Sequence, residues 1–151
     1  MHRVYDSNAL DASTAGAQTA ALSSLEFHTM NDFAPGSTGD VLHRFNQAFL
    51  AGTPEVLPAL IADHCRIEPI QCTTPGAWVE GGPACLALWQ AQAADRSARF
   101  ELEGTTVLGE VGLVFWTYRH GPGLSQCARG VNVMRVRNGQ IVEGRGYAKK
   151  P

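Results

Sequence analysis

The sequence predicts an α+β domain in which helices come first and a curled antiparallel sheet then wraps around the long first helix, leaving a cone. Three observations carry this reading. Residues 40–96 hold three stretches with helical spacing or helix-opening signals. From residue 98 onward, apolar and polar positions alternate as in half-buried strands. Asn138-Gly139, the strongest hairpin signal in the chain, joins the last two alternating runs.

The first helix reads DVLHRFNQAFLAG, residues 40–52, with Ser37 or Asp40 as its cap. Val41, Leu42, Phe45, Ala48 and Phe49 fall on one apolar stripe, and Gly52 ends the run. Thr53-Pro54 opens a second, short helix, PEVLPALIAD. CRIEPI then alternates as a strand, TTPGAWVEGG is a turn-rich loop, and PACLALWQAQAADR is a third helix opened by Pro83 after glycine. The strands that follow are ARFELEGTTVLGE, VGLVFWTYRH, CARGVNVMRVR and QIVEGRGYAKK, with HGPGLSQ as a hairpin loop. A sheet curled over one long helix has an open end suited to a small molecule. Residues 1–37 are rich in small and hydroxyl side chains and are assigned as an N-terminal extension, helical over about 17–28 or unordered; the main domain spans 38–151.

Composition narrows the function classes. The chain has 151 residues, 44% of them hydrophobic and 17% charged, which fits one compact domain. No run approaches the roughly 20 apolar residues of a membrane span, and no secretory signal is visible, so a cytoplasmic location is expected. Residues 1–75 carry eight acids against three Lys or Arg, and residues 76–151 carry six against nine. The later basic residues are scattered singly, without the dense stripe of a nucleic-acid site. Cys65, Cys72, Cys85 and Cys127 lack Cys-x-x-Cys spacing and read as small core residues. No histidine pair has metal-ligand spacing, and no phosphate-cradling or Gly-x-Ser-x-Gly motif occurs. No cofactor and no metal are expected.

The order of VLHRFNQAFLAGTPEVLPALIADHCRIEPI, EGGPACLALW and RGVNVMRVRNGQIVEGRGY resembles the nuclear transport factor 2-like superfamily. The closer likeness is to its SnoaL-like polyketide cyclase and ketosteroid isomerase-like branches, over about residues 39–148. The resemblance implies a cystatin-like α+β barrel with a pocket, a homodimer paired through its sheets, and a general base at the end of the first strand beside a proline. Glu68 before Pro69 resembles that base, although an ungapped alignment puts the base position on Pro69 itself. The isomerase's hydroxyl donor falls on Phe45 and its acid donor on Arg129, so two of the three catalytic groups differ.

Glu68 leads the chemical candidates, because a carboxylate in an apolar pocket can serve as a general base or acid; a strand-edge carboxylate in water is the plainer alternative. Arg129 would clamp an oxyanion or face solvent, and Tyr147 would donate a proton or hydrogen bond. Asn132 lies three residues from Arg129, so a regular strand puts at most one of them in the pocket. Phe45, Phe49, Trp78, Trp89, Trp116 and Tyr118 are the expected walls. Trp116 and Tyr118 share a face opposite Phe115, Thr117 and Arg119, and either face could be the inner one. The expected function is a small-molecule pocket. It is either a cofactor-independent isomerase, cyclase, dehydratase or epoxide hydrolase acting on a small apolar carbonyl or ring compound, or a non-catalytic binding or dimerising module.

Overall fold

Ser37 starts the described architecture by accepting the Asp40 N–H on its hydroxyl at 3.3 Å, while Asp40 reaches back to the Gly36 N–H at 2.8 Å. This reciprocal cap fixes the N-terminus of α1, Thr38–Ala51. The structure is a computed structural model that describes residues 33–70, 74 and 76–149. The helix expected near residues 17–28 lies outside these. Gly52, left-handed at φ 63°, closes α1 by donating to the Ala48 carbonyl.

The second helical stretch is a 3-10 turn, Pro54–Leu60, shorter than the sequence suggests. Pro54 and Pro58 withhold two N–H donors, and Ile61–Asp63 join strand β1, Ile61–Glu68, in place of continuing the helix. A two-residue strand β2, Val79–Glu80, pairs antiparallel with β1 inside the stretch read as a loop. Helix α2, Gly82–Ala94, follows, then β3, Arg99–Leu108, and β4, Val111–His120. Strands β5, Gln126–Arg137, and β6, Gln140–Lys149, turn on Asn138 and Gly139, both at positive φ.

The six strands lie in the order β2-β1-β6-β5-β4-β3. Every neighbouring pair is antiparallel except β1 with β6, which run parallel, so the sheet is mixed where the sequence suggested a purely antiparallel one. Helix α1 packs on β3, β4 and β5, and α2 packs on β1. Gly82 permits that second contact, since a Cβ there would meet the Ala62 carbonyl oxygen at 2.6 Å. Val41, Leu42, Phe45 and Ala48 from α1 join Leu57, Leu60, Cys65, Ile67, Trp89, Val114, Met134 and Ile141 in one buried core. Burial of each large apolar side chain there contributes about 1.5–3 kcal/mol.

Of the cysteines read as core, Cys65 and Cys85 are buried and Cys127 is exposed. Cys127 lies on the sheet face away from the helices, with Arg129 and Val131. Cys72 lies outside the described residues.

Candidate functional site

Strand alternation decides which side chains reach the interior. On β4 the inner face carries Val114, Trp116, Tyr118 and His120; on β5 it carries Ala128, Gly130, Asn132 and Met134; on β6 it carries Gly144, Gly146 and Ala148. The small residues keep this surface low. A Cβ on Gly144 would press on the Trp89 ring at 3.1 Å and Met134 Sδ at 3.2 Å, and Ala148 leaves open space above it.

A cavity of about 350 Å³ occupies that space, between the ends of α1 and α2 and the inner faces of β3, β4 and β5. Phe49, Ala93, Ala98, Phe100 and Trp116 form its apolar wall. Phe49 and Phe100 sit 5.7 Å apart, and Phe100 and Trp116 sit 6.4 Å apart, so the wall is a chain of rings. Gln92, Asp95, Tyr118, His120 and Asn132 supply its polar part. The Gln92 and Asn132 side-chain amides make no hydrogen bond among the described residues. The Trp116 indole N–H is also unpartnered, but it is enclosed by protein and not open to the cavity.

Electrostatics differentiate the mouth. Asp95 is the C-cap of α2, and its carboxylate accepts Ser97 N–H at 2.8 Å and Ser97 O–H at 2.6 Å. Those bonds hold its carboxyl below the ordinary value, so it stays ionised near neutral pH. Burial, and then the Asp95 charge, push the Tyr118 hydroxyl up from its ordinary value, so Tyr118 remains a donor. The His120 ring stacks on Tyr118 with centroids 5.6 Å apart and planes 29° apart. Its ring nitrogens make no hydrogen bond to described residues.

A smaller recess of about 40 Å³ adjoins the cavity and shares Ile70, Gln92 and Asn132 with it. Glu68 and Trp89 border this recess and not the larger cavity. Glu68 is half-buried at the end of β1, on the strand face opposite Ile67, and its Oε1 accepts the Gly76 N–H at 2.9 Å.

The remaining expected residues lie elsewhere. Arg129 is on the outer face of the sheet, 70% exposed and paired with Glu103. β5 runs without a bulge at Gly130, so Asn132 faces in and Arg129 faces out. Tyr147 is 51% exposed on the same outer face, because β6 turns Gly146 and Ala148 inward. Trp78 is outside too, with Arg66 at 4.4 Å and Arg145 at 4.9 Å from its ring centre. Phe45 packs edge-on against Trp89 at 5.0 Å, in the core behind Phe49. Phe49, Trp116, Tyr118 and Asn132 do line the cavity.

Gln92, Asp95 and His120 are cavity residues that the sequence reading passed over. His120 had a signal: it continues the alternation of Trp116 and Tyr118. Gln92 and Asp95 had none, because a helix end reveals its tertiary neighbour only after folding. Among the described residues no group of three or more His, Cys, Asp or Glu side chains is placed to hold a metal ion, and no helix is long and apolar enough to cross a membrane.

No curated protein shows significant similarity to the chain. Among solved structures, a nuclear transport factor 2-like protein of unknown function from Mesorhizobium loti shares 40% identity over 78% of this chain and 95% of that one, with a TM-score of 0.70. A candidate ketosteroid isomerase from Kribbella flavida shares 16% over 76% and 78%, with a TM-score of 0.64. A candidate polyketide cyclase from Sinorhizobium meliloti shares 18% over 79% and 99%, with a TM-score of 0.60. The last two show the fold alone. Residues 42–144 match the SnoaL-like domain. With its mixed sheet curled over α1 and the cavity at one end, the chain belongs to the SnoaL-like domain family within the nuclear transport factor 2-like fold.

Proposed function

We propose that this protein binds a small, mostly apolar carbonyl or ring compound in the cavity and rearranges it by proton transfer without a cofactor. The observation that carries this is the cavity itself: about 350 Å³, lined by Phe49, Phe100 and Trp116 together with two free amides and a phenol. That volume lies at the lower end of ligand sites, which run from about 300 to 1,000 Å³. An apolar wall supplies affinity, and the few polar groups orient one oxygen. Fold neighbours described as a candidate isomerase and a candidate cyclase make this chemistry the natural one to test.

A second reading, ligand binding without turnover, is favoured by one observation: Arg129 and Tyr147, the expected partners of a Glu68 base, face away from the cavity. A screen of small ketones and bicyclic rings by thermal shift tests the shared part of both readings. Ala148→Phe is expected to fill the cavity and erase the shift given by any hit. A hit that survives that change binds elsewhere.

The partner surface belongs to the same proposal. Phe115, Val131 and Tyr147 are register neighbours across β4, β5 and β6 on the outer face, and Phe115 and Tyr147 are 40% and 51% exposed. A second copy of the chain is proposed to cover this row, in a homodimer paired sheet to sheet. The free thiols of Cys65, Cys85 and Cys127 suit a reducing, cytoplasmic setting.

A further inference from the structure

We infer that His120 is the proton-transfer group of the cavity, with Tyr118 as the donor that holds the ligand oxygen. The inference rests on the proposed reading of the cavity and replaces Glu68 in its chemistry.

The geometry carries it. His120 ends β4 at the cavity mouth, half-buried, its ring lying on Tyr118 at 5.6 Å and its nitrogens unengaged among the described residues. A general base must be free to reach the proton it removes. Glu68 is poorly placed by that measure: it borders only the adjoining recess, and one of its oxygens already accepts the Gly76 N–H. The other titratable groups lining the cavity are Tyr118 on the same strand and Asp95 at the C-cap of α2; from β5 the register neighbour of His120 is the neutral Gln126. Burial keeps Tyr118 protonated, so its hydroxyl can donate to the ligand oxygen while His120 exchanges the proton.

For a ligand with a carbonyl and a carbon–carbon double bond one carbon further along, a β,γ-unsaturated ketone, His120 takes a proton from the carbon between the two groups. The C–H electron pair becomes the new carbon–carbon double bond, and the carbonyl π pair moves to oxygen, which the Tyr118 O–H holds. The proton returns from the imidazolium to the far carbon of the original double bond, the oxygen pair re-forms the carbonyl, the double bond is left conjugated to it, and the ring is neutral again. No oxidant, metal or second substrate is needed.

The test uses 5-nitrobenzisoxazole as a probe of any base in an apolar cavity. Removal of its ring proton makes the C–H pair part of a nitrile, and the N–O pair leaves on a phenolate. The full chain is expected to accelerate this elimination. His120→Asn should lower the accelerated rate by about a hundredfold, the scale of a positioned base. His64→Asn, at an exposed histidine on β1, should leave it unchanged. The rate should climb as the ring loses its proton, and the climb should vanish in His120→Asn. A loss in Glu68→Gln with none in His120→Asn would overturn the inference while leaving the proposed reaction class intact. Absence of any acceleration would also overturn it; binding of 1-tetralone in the cavity would then show that only the catalytic part had failed. If His120→Asn does not fold, the wild type decides. Its His120 ring nitrogen resonances should move on addition of 1-tetralone, and unmoved resonances would refute the assignment.

Discussion

Arg129 and Glu103 form a two-pronged ion pair across the outer face of the sheet, Nη2 to Oε2 at 2.6 Å and Nε to Oε1 at 2.9 Å. Thr117 donates its hydroxyl to the same carboxylate. The pair turns Arg129 from a candidate oxyanion clamp into a surface cation with its own partner. The Arg129 hydrogen bonds, and then that of Thr117, hold the Glu103 carboxyl down at about 2. Because the folded value lies below the unfolded one of 4.5, the resulting stabilisation is present above 4.5 and is lost as pH falls through about 2. In Arg129→Ala, carbon NMR should show Glu103 titrating closer to 4.5, with ligand binding in the cavity unchanged. An unmoved Glu103 would contradict the assigned cause.

Gly130 faces the Trp116 ring so closely that a Cβ would enter it and also strike the Tyr147 carbonyl oxygen. Gly130→Ala is expected to cost about 1–3 kcal/mol, the usual range for overpacking. Gly104 on β3 has nothing within 4 Å of such a Cβ. Gly104→Ala should therefore fall within about 0.5 kcal/mol of wild type. Paired urea melts compare the two. Equal costs would mean that the Gly130 contact is not what restricts the site.

Burial, and then the neighbouring Cys85, push the Cys65 thiol up to about 12, and burial raises Cys85 as well. Thiolates are the reactive form, so both should resist alkylation near neutral pH in the folded protein. Cys127 is exposed and should react promptly. Iodoacetamide labelling mapped by mass spectrometry should find Cys127 modified in native protein, and Cys65 and Cys85 only after denaturation. Native labelling of Cys65 would contradict its placement between β1 and α2.

The outer row of Phe115, Val131 and Tyr147 gives a test of assembly. Phe115→Glu should convert a sheet-paired dimer to monomer in sedimentation, since a carboxylate buried at such an interface would lack a partner. A wild type that sediments as a monomer, or a dimer that tolerates this change, would remove the proposed partner surface.

Much of the fold could be read from local pattern. The apolar stripe of α1, the glycine at its end, the Asn138-Gly139 turn and the alternation of β3 to β6 each act over a few residues, and the structure repeats them. Two kinds of information were not local. The parallel pairing of β1 with β6 joins Ile61 to Ile141, a contact that no short motif encodes. The inward direction of each strand was undetermined as well: alternation set Asn132 against Arg129, but only the helices packed on one side decide which faces in. His120 was missed for a related reason. It sits where a strand meets a hairpin loop, and the strand's alternation was not carried to its last residue.

The central claim is the ligand cavity, and alanine methyl NMR tests it most directly. Ala93, Ala98, Ala128 and Ala148 line the cavity, while Ala51 and Ala87 are exposed on the helices. Titration with 1-tetralone should shift the four lining methyls together and saturably, leaving Ala51 and Ala87 in place. If the four stay fixed at saturating probe, or if all six drift alike, the interior does not accept such a ligand and the account fails.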